Sequence, residues 1–530
     1  MRPETTSNPA LLMLLPGAAG PASGGVSTWA VRVLNALSRL GLPVGLSIEG
    51  DPAAWPVDRS IELFRLDETD AQPEVRFAGG GATNQGSLTD DTADLTAFLP
   101  VCLHAIDRLA ARTDGPVVLA PQLLGAAYGL AAELTRRRPD RTRLVGWAHS
   151  DNSYDAAVLE RYAPALSTAA GVSMHLAGLL ADRLPDDVIV EHVPYGVAIP
   201  PAPPRTSVKG RPLRLLYAGR LDDRQKRASS LPAISGALIE RGVDHTLTVV
   251  GGGPLAQTLR DLATPAMRLT GPRDPAVVAE MLRQADGFVL PSRYEGLSLA
   301  MLEAMSAGCV PIVARVRSGA EDAITHGREG LLIDLPEDAG SNEIGLRFAD
   351  AIAGLTPERW SSMAGAAHAR ASGRFTFESH VARVAGVLGR VATQPARPWP
   401  GDRPAAFAAL GGLIPADARS RVTEALKRLA GRRLAIHGTG AHTRAAGDLF
   451  RTAGDGLVAF TDDDPSRLGG ELLGRPVVPP DELAELGVTD VLISSAVHEP
   501  EIWARRGSYQ RLGIAVHRLY DDAAQPAAAA

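Results

Sequence analysis

Residues 293–305, RYEGLSLAMLEAM, hold two carboxylates, Glu295 and Glu303, with seven residues between them. An acid–base pair, a metal site, a sugar clamp and two plain surface charges are the chemistries to weigh. The preceding DGFVLPS (286–292) reads as a buried strand. Ser298 is a favoured N-cap and Gly308 a favoured terminator, so the sequence predicts a helix from near Ser298 to Ala307. Glu295 then falls in the turn before the helix and Glu303 about one turn inside it. At ~1.5 Å rise per residue they lie roughly 10 Å apart along the axis, too far to share a proton or one metal ion. That spacing suits two ends of one elongated ligand. Between them the N–H groups of Gly296, Leu297 and Ser298 open from a helix N-terminus, which favours phosphate. Hydroxyls at both ends and phosphate between describe a nucleotide sugar. Two solvated charges at a helix start account for the spacing as well, because charged residues mostly lie at the surface.

Four more stretches carry chemical potential. In AGRLDDRQKR (218–227), Arg220 and Lys226 follow a strand end, where α/β sheets bind ligands, and together they can neutralise a diphosphate. A basic loop at a sheet rim explains them equally. VVGGGPL (249–255) ends a strand in three glycines, Gly252 at their centre, and glycine lets a ligand approach the backbone. SGGV (23–26), with Gly25, is a similar turn opening a helix. His149 ends the strand in VGWAHSD (145–151) and would face a cleft, although a lone histidine is more often structural.

Around these residues, short apolar β-type runs alternate with helical patterns, the mark of parallel sheets covered by helices. A strand leading into a glycine turn and a helix recurs at 11–26, 213–226 and 434–443, so three doubly wound units are expected. Proline-rich IPPAPPR (199–205) and QPARPWPGDRP (394–404) separate them and read as stiff linkers. The expected domains are 1–200, 206–393, whose last helix is free to cross back to the first domain, and 405–522. Strands are expected at 11–16, 43–48, 116–120, 143–148, 171–174 and 188–193, then at 213–218, 246–250, 267–270, 287–291, 310–314 and 330–333. The third domain should have them at 434–437, 456–461, 490–494 and 515–519. FAGGGATNQGSLTDDTADL (77–95) reads as a long loop.

The 530 residues are 45% apolar and 22% charged, with a net charge of −6. That is globular and lacks the basic footprint of a nucleic-acid binder. Two cysteines, Cys102 and Cys309, exclude a disulfide framework and fit a reducing cytoplasm. No stretch approaches the ~20 apolar residues of a membrane span, which leaves room only for peripheral membrane contact.

Taken together, residues 11 to about 390 resemble the retaining family-4 glycosyltransferases (glycosyltransferases group 1). The resemblance rests on YAGRL, Lys226, VVGGGP, LTG, LPSRYEGLSLAMLEAMSAGCVPIVA, SGAEDAI and HGREGLLID in order, with SGGV, His149 and VPYGV (193–197) upstream. It implies a GT-B fold, two Rossmann-like domains facing a cleft, here with a third, smaller Rossmann-like α/β domain. It implies Arg220 and Lys226 on the donor diphosphate and Glu295 on hydroxyls of the transferred sugar. The backbone at Gly296, Leu297 and Ser298 would meet the phosphates, Glu303 the ribose, and Gly25 the diphosphate from the other side. His149, a catalytic candidate with Arg220, Lys226 and Glu295, would lie near sugar and acceptor, Gly252 among the donor-binding residues, and the base near the backbone around Arg273. Two departures touch donor orientation: Tyr195 replaces the usual Asn before the glycine of VPYGV, and Gly296-Leu297 replaces the commoner pairing with Phe.

The implied activity is metal-independent hexosyl transfer with retention, from a nucleoside-diphosphate sugar to a hydroxyl-bearing acceptor, with no cofactor required. The acceptor could be a glycan, a lipid-linked glycan, a protein or a small metabolite, as in bacterial-type glycoconjugate biosynthesis. A nucleotide-sugar epimerase or hydrolase, and a non-catalytic nucleotide-sugar-binding protein, are the alternatives. In LAIHGTGAHT (434–443) the third glycine of a dinucleotide fingerprint is replaced by Thr443, while TDDDP (461–465) supplies acids about two dozen residues on. Assembly, including oligomer formation, is the simpler expectation for that domain, with nucleotide binding the rival.

Overall fold

The computed structural model describes residues 8–15, 25–48, 51–66, 98–122, 125–151, 153–201, 208–316, 318–336, 339–400, 418–440, 442–443, 446–463, 467–495 and 499–520. The expected 77–95 loop lies outside them. Three sheets organise the chain. The first contains β1 (Ala10–Leu14), β2 (Val44–Ile48), β3 (Glu62–Arg65), β4 (Val117–Pro121), β5 (Thr142–Ala148), β6 (Leu166–Gly171) and β7 (Ile189–His192), in the order 3-2-1-4-5-6-7. The second contains β8 (Leu213–Ala218), β9 (His245–Val250), β10 (Met267–Gly271), β11 (Gly287–Leu290), β12 (Val310–Ala314) and β13 (Leu331–Ile333), in the order 10-9-8-11-12-13. Every pairing in both is parallel. Strands sandwiched between helix layers are apolar throughout, which is why ALLML and GFVL are buried along their whole length.

The third sheet contains β14 (Leu434–His437), β15 (Leu457–Thr461), β16 (Glu471–Leu472), β17 (Arg475–Val478), β18 (Asp490–Ile493) and β19 (Ala515–His517), in the order 16-17-15-14-18-19. Only β16 with β17 is antiparallel. Each sheet reverses its strand order beside its first strand: β1 against β4, β8 against β11, β14 against β18. A crevice opens there at the carboxyl ends of the strands. The α/β, GT-B-type architecture with a third, smaller α/β unit is the one expected.

The elements nobody could count from apolar runs are β3, β16 and β17. They are short edge strands with exposed or charged positions, ELFR, EL and RPVV, so they lack the continuous apolar signature. The expected strand at 171–174 lies at 166–171 instead. Ser173 caps the next helix, Met174–Arg183, accepting the Leu176 N–H, and so ends the extended run.

The first two sheets share one core. The helix Phe377–Thr393 packs on β4, β5 and the first helix, Gly25–Arg39. Its lead-in is laced to the first region, with Val197 N–H donating to Phe375 O (2.8 Å) and Phe377 N–H to Val197 O (3.0 Å). Gly196 sits where a Cβ would come within 2.3 Å of Thr376 O. The third sheet has its own two apolar clusters, one on each face.

Candidate functional site

The expected residues gather at the β8/β11 edge, facing the ends of β1 and β5. Helix Leu299–Ser306 begins as expected: the Ser298 hydroxyl accepts the Met301 N–H at 3.3 Å, and Gly308 ends it at φ +68. Glu295 is buried in the preceding turn and pairs with Lys226, Oε1 to Nζ 2.6 Å. Glu303, one turn into the helix, is half-exposed and meets Arg32 Nη1 of the first helix at 3.3 Å. The two glutamates thus have separate partners and share none.

Lys226 is aimed by its loop. Asp222 Oδ1 accepts the N–H groups of Gln225 and Lys226 (2.9 and 3.3 Å), closing a tight turn. Tyr217 Oη donates to Arg220 O at 2.6 Å. Arg220 Nη2 donates to Gln225 Oε1 at 2.6 Å, with Asp222 3.6 Å from its Nε. Behind this loop run the three glycines. Gly251 and Gly253 have φ +141 and +154, and a Cβ on them would stand 1.8 Å from Gly219 O and 2.6 Å from Leu221 O. The glycine run therefore lets two loops press backbone to backbone, joined by Leu221 N–H to Gly252 O at 2.9 Å. Gly252 is part-exposed, and Arg273, in the loop after β10, is exposed.

Two helix N-termini converge here. A Cβ on Gly25, which opens the first helix, would lie 3.8 Å from Leu299 Cδ1 at the start of the other. Gly296 is pressed onto the first region, where a Cβ would be 2.1 Å from His149 O, and Asp151 N–H donates to Glu295 O at 3.3 Å. Leu297 is buried, and Gly319 N–H donates to Gly296 O at 2.5 Å. Under the turn is a small cavity lined by Ser292, Glu295, Ser298, Val313, Ser318 and Ala320. Ser292 Oγ is buried there without a hydrogen-bond partner.

His149 is at the end of β5, with both ring nitrogens occupied. Gln122 Nε2 donates to Ala120 O (3.3 Å), so its Oε1 accepts from His149 Nε2 (2.6 Å), and His149 Nδ1 accepts from Tyr195 Oη. Trp29, Trp147 and Tyr195 rings surround the imidazole. Burial, with His380 adding to it, pushes the imidazole down to about 3, so it is neutral. It presents a fixed wall to the cleft and has no free ring nitrogen for proton transfer. Gln225, Gln122, Arg32 and Ser292 were not signalled by the sequence. Only Gln225 had a cue, its position between Arg220 and Lys226.

At the third sheet's reversal the polar groups bond one another. Asp462 Oδ2 accepts both Thr439 N–H and Thr439 Oγ1 (2.8 and 2.7 Å), with Arg467 Nη1 at 3.3 Å. Thr443, at the missing-glycine position, donates to Gly438 O (2.6 Å). His442 Nδ1 meets Ser494 Oγ (2.9 Å), and its Nε2 meets Tyr520 Oη. Asp463 is held well below the usual carboxylate range by Arg505 and His437, against the opposing effect of burial. Arg505 also approaches the donor edge. Arg293 is pushed down to about 10, first by burial and then by Arg227 and Arg505. Among the described residues no cluster of three metal-ligating side chains occurs and no helix is long and apolar enough to cross a membrane.

Residues 212–355 match the family described as glycosyl transferases group 1. A glycogen synthase of Mycobacterium tuberculosis is 34% identical over 133 residues, 24% of this chain and 31% of that protein. The match therefore spans about a third of that relative's length. A GDP-mannose-dependent alpha-(1-6)-phosphatidylinositol monomannoside mannosyltransferase of the same species is 27% identical over 298 residues, 51% of this chain and 72% of that one. Among solved structures, a pneumococcal O-GlcNAc transferase in complex with UDP and GlcNAc superposes with TM-score 0.56 at 14% identity, covering 73% of this chain and 100% of that one. Residues 212–355 are a glycosyl transferases group 1 domain, and the chain that carries it has the GT-B fold.

Proposed function

We propose that the protein is a cytoplasmic, retaining glycosyltransferase that moves a sugar from a nucleoside-diphosphate sugar to a hydroxyl-bearing acceptor. One observation carries the reading: the largely sequestered Lys226–Glu295 pair at 2.6 Å, with side chains 15% and 12% exposed, set between two converging helix N-termini. A buried ion pair without a task is a poor source of stability. A donor entering between the two groups gives each a new partner, phosphate for Lys226 and sugar hydroxyls for Glu295. Arg220, Lys226 and the helix N-termini then stabilise the charge that develops on the departing diphosphate. Those cations supply the neutralisation a divalent metal supplies elsewhere, so transfer is expected to survive chelator. Glu303 takes the ribose on exchanging Arg32 for it, and the base lies by Gly252 and Arg273. The acceptor enters over the first region, past His149, which shapes the cleft.

The names of the relatives, all sugar transferases, support this reading. We assign residues 1–200 to acceptor, 206–393 to donor and 405–522 to an accessory role. The two buried cysteines, neither of them in a disulfide, fit a reducing compartment.

The test is a thermal-shift screen against UDP-, GDP-, ADP- and TDP-sugars, followed by NMR of the anomeric proton of the product. One nucleotide class should raise the melting temperature, since ~100-fold excess over Kd adds about 2.7 kcal/mol, and the product should keep the donor's configuration. No shift with any class sinks the donor reading, and an inverted product sinks retention. Acceptor-free isomerisation of the sugar would point to an epimerase.

A further inference from the structure

One residue ties the two halves of the donor edge together. Gln225 lies in the loop after β8, and the turn it faces follows β11, the neighbouring strand. Its main-chain carbonyl accepts the Arg293 N–H at 2.7 Å. Its side-chain Nε2 donates to Tyr294 O at 3.3 Å, and its Oε1 accepts from Arg220 Nη2 at 2.6 Å. Its own N–H is held by Asp222 Oδ1. The amide orientation is fixed by these partners, because a carbonyl can take only the NH2 end and a guanidinium only the oxygen.

We propose that Gln225 is a positioning residue of this site: with Asp222 on the other side of the guanidinium, it aims Arg220 at the donor diphosphate while clamping the Glu295 turn, and it adds no second negative charge to do so. This rests on the glycosyltransferase reading above. The amide suits the task better than either alternative. An apolar side chain of the same length removes the acceptor at Arg220 Nη2, leaving Asp222 on Nε, and takes the amide donor from Tyr294 O. A carboxylate holds Arg220 but neutralises it and places a negative charge beside Glu295. Gln225 therefore acts on the diphosphate only through Arg220, and on the nucleoside not at all.

Five proteins test this: wild type, Gln225→Met, Gln225→Glu, Arg220→Ala and the Arg220→Ala/Gln225→Met double variant. Each is titrated with UDP, GDP and ADP and with uridine, guanosine and adenosine, and its transfer kinetics are followed. Gln225→Met should weaken the bound nucleoside diphosphate about tenfold and its nucleoside less than twofold, because a charge-assisted contact is lost. Gln225→Glu should weaken it further, although the oxygen remains. In the Arg220→Ala background, Gln225→Met should change diphosphate affinity less than twofold, since two residues acting through one contact are not additive. Should Gln225→Met fail to fold, the near-isosteric Gln225→Glu carries the same comparison. Equal weakening of diphosphate and nucleoside, or additive effects in the double variant, overturns the proposal and leaves the donor reading standing. A wild type that binds none of the six compounds overturns both.

Discussion

The β8/β11 edge and the β14/β18 edge are the same topological feature built twice, and their polar groups are spent differently. At the donor edge, Glu295 is buried and Lys226 part-buried, yet they are tied to each other by a single contact across two loops. Their neighbours, Ser292 among them, have hydrogen-bonding capacity left. At the third sheet, Asp462 takes three donors, two from Thr439 in the loop after β14 and one from Arg467, and His442 has a partner on each nitrogen. A crevice that serves a ligand keeps its charges in pairs a ligand can exchange. One that serves its own fold closes its charges into a network, even where a hydroxyl such as Thr461 Oγ1 is left without a partner. The strand order alone does not separate the two cases.

The sharpest way to break that comparison is to remove one charge from each edge. Lys226→Ala should lower kcat/KM for the donor sugar by about a thousandfold, some 4 kcal/mol of lost electrostatic stabilisation. Asp462→Ala should leave kcat/KM within twofold and instead cost about 2 kcal/mol of stability, by removing the acceptor that Thr439 N–H, Thr439 Oγ1 and Arg467 share. Steady-state kinetics and urea unfolding of both variants decide it. If Asp462→Ala abolishes transfer at unchanged stability, the third edge is a working site and the contrast is wrong.

Glycines give a second contrast. At Gly296 a Cβ would meet His149 O at 2.1 Å, backbone against backbone, whereas at Gly440 its nearest neighbour is the tip of Arg467 at 3.7 Å. Gly296→Ala should therefore wedge the donor turn from the first region and reduce turnover about a hundredfold through misplacement. Gly440→Ala should change neither turnover nor melting temperature measurably. Equal effects at the two positions would mean that the cleft does not depend on that close approach.

How much of this was legible in the sequence follows from which forces write themselves locally. The helix after Ser298 was readable because capping and termination are decided by the residues at its ends. The continuous apolar strands were readable because burial on both faces leaves no polar position. Arg220, Lys226, Glu295 and Glu303 stood out because charges beside apolar strand ends are conspicuous. The fate of His149 was not legible. Its two partners, Gln122 and Tyr195, lie 27 and 46 residues away in sequence, and no local pattern joins them. The glycine run at 251–253 was read as an approach for ligand, and the structure adds that it admits the neighbouring loop. Edge strands β16 and β17 escaped because a two- to four-residue strand with a proline carries no periodicity.

The first region, with the helix packed on it, and the third edge also bury neutral histidines, which makes stability depend on pH in one direction. His149 is pushed down to about 3, and His380 and His442 to about 4, chiefly by burial. A histidine whose folded pKa lies below its unfolded value takes up protons more readily in the unfolded chain. Stability is then complete above about pH 6.5 and falls as pH drops toward 4, by up to about 2 kcal/mol per histidine at pH 5. Melting temperatures from pH 7.5 to 5 should decline accordingly, and His380→Gln should flatten part of the slope. A flat profile would show that these rings are charged or hydrated in the folded chain.

The smallest effect concerns the ion pair that joins the two faces of the cleft. Arg32 and Glu303 are 3.3 Å apart with side chains 41% and 35% exposed, so water screens them and the pair contributes little to stability, about 0.5 kcal/mol or less. Arg32→Ala should leave the melting temperature nearly unchanged. If Glu303 must release Arg32 before it can accept ribose hydroxyls, the same substitution should lower the donor KM about two- to threefold, by relieving that exchange at unchanged kcat. A raised KM would mean the opposite, that Arg32 reaches the donor itself and that Glu303 holds it in place for the purpose. The sign of that small change tells whether the pair is an occupant of the ribose position or part of its wall, which the larger losses at Lys226 and Gly296 cannot distinguish.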